Sequence, residues 1–86
     1  MIRLTFYSKP NCPLCDEARD MLEDLNQEFA LVVTELNILS NPAIYEKYKY
    51  IIPVLELENG QVIKVRFTEA ELRKALNEKR EAGNGK

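Results

Sequence analysis

Two cysteines separated by two residues are the feature of this chain that most directly suggests chemistry. Cys12 and Cys15 are its only cysteines, and they follow an alternating apolar run over residues 2–7. If this segment enters a helix, one turn brings the two side chains together, so that they can form a disulfide. A disulfide that closes so short a loop removes little entropy from the unfolded chain and stabilises a fold poorly. The spacing therefore favours reversible redox chemistry over a structural cross-link.

Pro13 indicates how the first sulfur is activated. Proline suits the first position of a helix, where its missing N–H is no loss, and this places Cys12 at the N-cap. A thiolate there accepts hydrogen bonds from free backbone N–H groups, including that of Cys15, and faces the positive end of the helix dipole. These interactions lower the pKa of a cysteine, and the thiolate is the reactive form. We expect Cys12 to be the nucleophile and Cys15 the resolving thiol. The positive charge of Lys9 favours the thiolate of Cys12, whereas carboxylates in the first turn of the helix disfavour it.

Length, charge and hydropathy restrict the remaining classes. The 86 residues suit one small domain, which we assign to residues 1–80, followed by a flexible tail over residues 81–86. The net charge of −2 and the lack of a basic cluster argue against binding to nucleic acid. No apolar run approaches the ~18 residues of a membrane span, and the N-terminal residues lack the basic region, long apolar stretch and small-residue cleavage site that are typical of a signal peptide. We therefore expect a soluble cytoplasmic monomer, in which a Cys-x-x-Cys pair is catalytic or binds a metal.

The first half of the chain alternates between strand and helix patterns. Residues 2–7 predict a strand that ends just before the cysteines, and residues 13–28 carry an apolar stripe at helical spacing. Residues 31–38 are rich in β-branched side chains and predict a second strand, parallel to the first. Asn41 and Pro42 begin a short helix that reaches residue 49, and we expect the tyrosines around it to pack on the core: Tyr45, Tyr48 and Tyr50.

The second half predicts a hairpin and a final helix. Residues 54–58 and 61–67 flank Asn59-Gly60, a dipeptide that favours a two-residue type I′ turn between antiparallel strands. Thr68 and Glu71 have the spacing of a capping box, and a helix continues from there through residue 76. The predicted order is β-α-β-α-β-β-α, an α/β fold with a four-stranded mixed sheet flanked by helices.

Two motifs give this order a family resemblance. The approach to the cysteines resembles that of glutaredoxin-like proteins of the thioredoxin superfamily, in particular a short bacterial branch with leucine before the second cysteine and an acidic residue after it. The matching run is Phe6-Tyr7-Ser8-Lys9-Pro10-Asn11-Cys12-Pro13-Leu14-Cys15-Asp16. The second motif is Ile52-Pro53-Val54, which stands just before the third strand, where the superfamily keeps a cis-proline. The resemblance implies the thioredoxin/glutaredoxin fold over residues 2–76.

The resemblance also implies a substrate site around the cysteines. It implies a cis peptide bond before Pro53, with Pro53 against the cysteines and the backbone of Ile52 available to pair with an extended thiol substrate. The lysine that glutaredoxins use to hold a carboxylate of glutathione corresponds to Lys9, which could instead be a solvated loop charge. Tyr7 could line the thiol groove or be an ordinary partly buried strand residue. Pro13, inside the motif, completes this set of substrate-binding candidates.

One part of the glutathione site of glutaredoxins has no counterpart here. Glutaredoxins carry a glycine pair and an acidic residue after the hairpin, where this chain has Lys64-Val65-Arg66-Phe67. Bulky residues prevent the close backbone approach that glycine allows, although Arg66 could hold a carboxylate through two hydrogen bonds. We therefore expect weak recognition of glutathione.

The function that these residues favour is reduction of disulfides in proteins or small molecules by a dithiol cycle of Cys12 and Cys15. No tightly bound cofactor is expected, and a separate reductant, which could be glutathione, a thioredoxin reductase or another thiol system, must restore the dithiol. One alternative is a binding module in which two subunits pool their cysteines around zinc or an iron–sulfur cluster. Another is an interaction domain with the same fold and no catalytic activity.

Overall fold

The fold consists of a four-stranded sheet with three helices packed on it. The computed structural model describes residues 2–58, 60–64 and 67–84, with side chains through Glu78. Its elements, in chain order, are β1 (Ile2–Ser8), α1 (Pro13–Phe29), β2 (Leu31–Asn37), a 3-10 turn (Ile38–Ser40), α2 (Pro42–Tyr48), β3 (Val54–Leu57), β4 (Val62–Ile63) and α3 (Glu69–Asn84). The sheet order is β2-β1-β3-β4, with β1 parallel to β2 and antiparallel to β3. The predicted mixed sheet and element order are confirmed.

The alternation of β1 divides its side chains between the two faces of the sheet. Leu4 and Phe6 are buried on one face, where Arg19 of α1 lies over the ring of Phe6. Tyr7 lies on the other face, because successive strand residues point to opposite sides, and its ring packs against that of Tyr48 in α2 with centroids 4.6 Å apart. Helix α1 and helix α2 therefore cover opposite faces of the strand that leads into the cysteines.

Helix α1 ends with a left-handed residue that directs the chain into β2. Ala30 has φ 54°, and its N–H donates to the carbonyl oxygen of Asn26. The side-chain oxygen of Asn26 accepts a hydrogen bond from the N–H of Leu31, the first residue of β2. Leu31 is buried, but the six following residues of β2 are exposed, since β2 is an edge strand. The predicted second strand is confirmed, one residue shorter at its end.

The hairpin differs from the prediction in length and register. Its strands are shorter than predicted, and Leu55 pairs with Ile63 and Glu56 with Val62. The N–H of Leu57 donates to the carbonyl oxygen of Gln61, so three residues, and not two, lie between the last paired residues of the hairpin. Gly60 has φ +91°, which fits the left-handed last position of a three-residue connection. The two-residue type I′ turn is therefore wrong, and Asn59, on which it depended, lies outside the described residues.

The caps of the last two helices are those that the sequence indicates. The side-chain oxygen of Asn41 accepts hydrogen bonds from the N–H groups of Ala43 and Ile44 at the start of α2. At the start of α3, Thr68 and Glu71 exchange the two hydrogen bonds of a capping box.

Two expectations near these helices need correction or extension. Tyr45 and Tyr48 contact the core, but Tyr50 is 85% exposed, so its predicted packing is wrong. Helix α3 continues to Asn84, four residues into the segment for which we expect a flexible tail.

Candidate active site

The chain reaches the cysteines through a turn that fixes the direction of the first sulfur. Asn11 has φ 59°, a left-handed conformation that asparagine adopts more readily than most residues. Cys12 follows in an extended conformation as the N-cap of α1, and Pro13 is the first helical residue. The Sγ atom of Cys12 accepts a hydrogen bond from the backbone N–H of Cys15 at 3.1 Å. The N-cap position predicted from Pro13 is confirmed.

The two sulfurs differ in their exposure. Cys12 and Cys15 form a disulfide across the first turn of α1, with Cα atoms 5.1 Å apart. Cys12 is half-buried at the edge of the core, whereas Cys15 has no exposed surface and lies within the core. Cys12 is therefore the more exposed of the two residues, and Cys15 offers no surface to a molecule in solution.

A cis peptide bond joins Ile52 to Pro53, as predicted. Both residues are buried, and Val54 begins β3 immediately afterwards. Pro53 lines a cavity of about 160 Å³ beside α1, together with Leu14 from between the two cysteines. The other lining residues come from α1 and from the approach to α3: Glu17, Ala18, Met21 and Phe67. The cis-proline loop and the cysteine motif thus share the wall of one cavity.

The remaining predicted site residues have different surroundings. Lys9 is exposed in the loop between β1 and α1, and Pro13 is exposed at the start of α1. Tyr7 is buried on the α2 face, and its hydroxyl donates a hydrogen bond to Glu56 at 2.8 Å. Burial, followed by this hydrogen bond, raises the pKa of Tyr7 to about 12. Tyr7 does not line the cavity that Pro53 and Leu14 share. Arg66 lies outside the described residues.

A polar network beside the cysteines was not anticipated from the sequence. Arg19, one helical turn after Cys15, donates from Nε and Nη2 to the carboxylate of Glu35 in β2, at 3.2 and 2.5 Å. The hydroxyl of buried Ser8 donates to the same carboxylate at 2.8 Å, and Arg19 also donates to Asp16. The hydrogen bonds from Arg19 hold the pKa of Glu35 below its usual range, against the opposing effect of burial. The network ties the start of α1 to the ends of β1 and β2.

Within residues 2–58, 60–64 and 67–84, no group of three or more His, Cys, Asp or Glu side chains is arranged to hold a metal ion. In the same residues, no helix has the length and apolar character needed to cross a membrane.

Comparisons with known proteins agree with this geometry. The family model of the glutaredoxin-like domain (DUF836) matches residues 3–77. A structural genomics target protein from X. campestris is 27% identical with a TM-score of 0.76, and the match covers 86% of this chain and 95% of that one. A protein from Nitrosomonas europaea is 23% identical with a TM-score of 0.72, over 86% of this chain and 88% of that one.

A third solved structure shows the wider fold. Thioredoxin 1 from the thermophilic eubacterium Thermosipho africanus is 14% identical with a TM-score of 0.74, and the match covers 95% of this chain and 98% of that one. The family match spans the cysteine motif, the cis-proline and most of α3. With a thioredoxin-like fold and a Cys12–Cys15 pair at disulfide distance, this chain belongs to the glutaredoxin-like domain family.

Proposed function

We propose that this protein is a thiol–disulfide oxidoreductase that reduces disulfides through Cys12 and Cys15. The observation that carries the proposal is the asymmetry of the pair. Cys12 is partly exposed, and its sulfur accepts a hydrogen bond from the N–H of Cys15, whereas Cys15 has no exposed surface and its sulfur is bonded to that of Cys12. An accessible sulfur with a backbone donor suits a nucleophile, and an enclosed sulfur within bonding distance suits a resolving thiol.

The proposed cycle transfers two electrons from the reduced protein to the substrate. The thiolate of Cys12 attacks one sulfur of a substrate disulfide, forms a mixed disulfide and releases the first substrate thiolate. Cys15 then loses its proton and attacks the Sγ atom of Cys12, which releases the second substrate thiolate. The two substrate thiolates take up protons, and the Cys12–Cys15 disulfide remains. A separate thiol reductant must reduce that disulfide before the next cycle.

The other predicted site residues have supporting roles in this proposal. An extended substrate would pair with the backbone of Ile52 beside the cis bond to Pro53, and Pro13 would hold the start of the helix. Lys9 would attract a substrate carboxylate from its exposed loop position. Tyr7 would support the site from the opposite face of β1, through its contacts with Tyr48 and Glu56.

The direct test is capture of the intermediate. The Cys15→Ser variant keeps the attacking sulfur and loses the resolving one, so it should accumulate a stable mixed disulfide with substrate proteins or small thiols. Cys12→Ser is the matched control, with one remaining enclosed sulfur, and it should capture almost nothing. Equal capture by both variants would contradict the assigned roles.

A second measurement separates this proposal from a metal-binding module. The protein should emerge from anaerobic purification as a monomer without zinc, iron or visible absorption, because one chain offers two thiols and no histidine. Purification of a dimer that holds zinc or an iron–sulfur cluster between Cys12 and Cys15 of both copies would contradict the oxidoreductase proposal.

A further inference from the structure

The polar network beside the cysteines holds the carboxylate that follows them most closely in the chain. Asp16 is the acidic residue in the first turn of α1, and its N–H donates to the carbonyl oxygen of Cys12 at 3.0 Å. Helical side chains are tilted towards the N-terminus of their helix, so the side chain of Asp16 lies over the turn that Cys12 caps. Nη1 of Arg19 donates to the Asp16 carboxylate at 2.8 Å. A cation therefore binds the acidic group next to the nucleophile.

The orientation of the Arg19 guanidinium is set by β2. Its Nε and Nη2 atoms donate to the two oxygens of the Glu35 carboxylate, at 3.2 and 2.5 Å. The hydroxyl of Ser8, a residue that is 4% exposed, donates to the same carboxylate. Since the guanidinium is planar and rigid, two hydrogen bonds to Glu35 fix the direction in which Nη1 meets Asp16. The arrangement requires arginine, because lysine cannot hold two carboxylates with this geometry.

A released Asp16 carboxylate would compete with the thiolate of Cys12. The N–H groups at a helix N-terminus and the positive end of the helix dipole stabilise negative charge. The Cys12 sulfur uses one of these groups, the N–H of Cys15. A second anion that could turn towards the same N–H groups would disfavour the thiolate. The ion pair instead directs the Asp16 carboxylate towards Arg19, one turn further along the helix.

We propose that Arg19 is a positioning residue for the nucleophile: it keeps the Asp16 carboxylate from the helix N-terminus and thereby favours the thiolate of Cys12. The inference rests on the proposed oxidoreductase function, in which this thiolate attacks the substrate disulfide. The step affected is the loss of the Cys12 proton to solvent. Arg19 takes no part in the bonds that form and break between sulfurs.

Other charges on the segments around the nucleophile are the same in every variant compared. Lys9 is exposed in the loop before it, and Glu17 is exposed on α1. The cis-proline and the two residues before it are uncharged. The remaining groups are Glu35 of β2, which the network holds, Lys64 before α3, and Arg66, which lies outside the described residues. These groups affect the starting pKa of the nucleophile but not the differences between variants.

The test is the apparent pKa of Cys12 in the reduced protein. Short iodoacetamide pulses over a range of pH are followed by peptide mapping, which separates label on Cys12 from label on Cys15. Arg19→Gln should raise the pKa of Cys12 by about half a unit, an about threefold loss in its acid dissociation constant, which is in the range of one exposed ion pair. An unchanged pKa would overturn the inference.

Arg73→Gln is the matched control. The side chain of Arg73 is 40% exposed, against 39% for Arg19, and it also joins two carboxylates, those of Glu28 and Glu69. Glu28 lies near the end of α1, roughly 20 Å along the helix from its N-terminus at a rise of about 1.5 Å per residue. Arg73→Gln should lower the thermal stability about as much as Arg19→Gln and leave the pKa of Cys12 unchanged. An equal pKa shift in both variants would contradict the proposed role of Arg19.

Asp16→Asn tests whether Arg19 acts through Asp16. Because Arg19 already holds this carboxylate, Asp16→Asn alone should lower the pKa of Cys12 by less than about 0.3 units. In the Asp16→Asn background, Arg19→Gln should raise the pKa by less than about half of its effect in the parent protein. The same rise in both backgrounds would show that Arg19 acts through its charge alone and would refute the positioning role.

Two features keep this test decisive. The side chain of Asp16 is 73% exposed, so Asp16→Asn can be measured even if Arg19→Gln folds poorly. A fall of about one unit or more in Asp16→Asn alone would also refute the inference, since it would mean that Arg19 leaves Asp16 free to oppose the thiolate. Failure of the oxidoreductase proposal is distinguishable, because it appears as the absence of mixed disulfides in Cys15→Ser, whatever the pKa of Cys12.

Discussion

The two cysteines of the reduced protein should differ in their reaction with iodoacetamide at neutral pH. Cys12 is accessible, and its sulfur lies 3.1 Å from a backbone nitrogen that can donate to it, whereas Cys15 has no exposed surface. The thiolate is the form that reacts with iodoacetamide. A brief pulse of the reagent should therefore label Cys12 in preference to Cys15.

The size of this preference follows from the hydrogen bond to Cys12. A hydrogen bond to a charged group contributes about 1.5–3 kcal/mol, which raises the ratio of thiolate to thiol about 10- to 150-fold. A thiolate with a lower pKa is also a weaker nucleophile. With a Brønsted coefficient of about 0.4–0.5, its rate constant falls by roughly half a logarithmic unit for each unit by which the pKa falls. An ordinary cysteine is already about 3% thiolate at pH 7, and the fraction of thiolate cannot exceed one, so the net advantage in rate from the hydrogen bond is about threefold. Exclusion of the reagent from enclosed Cys15 increases it further.

The assay needs only the reduced protein and mass spectrometry. Limiting iodoacetamide is added for a short time at pH 7, the reaction is quenched, and fragmentation of the peptide that contains both cysteines locates the label. The same pulse in concentrated urea is the control, since unfolding removes both the helix N-terminus and the enclosure and should make the two cysteines react alike. Equal labelling in the native protein would refute the argument, and preferential labelling of Cys15 would reverse the roles of the two sulfurs.

Three further predictions concern neighbouring groups. Hydrogen bonds from Arg19 lower the pKa of Glu35 from 4.5, so the contribution of Glu35 to folding stability is present above pH 4.5 and is lost as the pH falls through its folded pKa. Glu35→Gln should lower the free energy of unfolding at pH 7 by about 1 kcal/mol or less. In calorimetry, the variant should also lose less stability than the parent protein as the pH falls. The pKa of Tyr7 is raised from 10.0 to about 12, so its contribution to folding stability is full below pH 10 and is lost towards pH 12. Over this range, the stability of Tyr7→Phe measured by urea unfolding should fall less than that of the parent protein. A parallel fall in the two proteins would contradict this prediction. Lys9→Ala should slow an already low turnover in a coupled glutathione reductase assay at low salt, and brisk turnover that this variant leaves unchanged would show other contacts to glutathione.

The fold could be predicted from the sequence where its signals are local. Pro13, Asn41 and the Thr68–Glu71 pair each begin a helix where the structure has one, because capping depends on residues within one turn. The hairpin register could not be predicted from Asn59-Gly60 alone. A three-residue connection also needs glycine at its last position, so the same dipeptide is compatible with two registers that differ by one residue.

The polar network beside the cysteines depends on contacts between distant segments. Nothing in the sequence next to Ser8 or Arg19 indicates a partner in β2. Glu35 reaches both only because parallel pairing sets it opposite Phe6 and because Arg19 lies over the Phe6 ring. Only the register between β1 and β2 could have indicated these contacts of Glu35. Register is decided by the packing of the whole face of the sheet, which the local sequence does not specify.

The same distinction applies to two parts of the candidate active site, the cysteine motif and the cavity that Leu14 and Pro53 line. Asn11, Cys12 and Pro13 are consecutive, so the position of the first sulfur at a helix N-terminus is encoded within one turn and is predictable from the motif. The cavity that Leu14 and Pro53 line is instead assembled from α1, the cis-proline loop and the approach to α3, which are separate segments of the chain. Substitutions at Phe67 or Met21 therefore change the wall of this cavity without removing either partner of the hydrogen bond to the Cys12 sulfur.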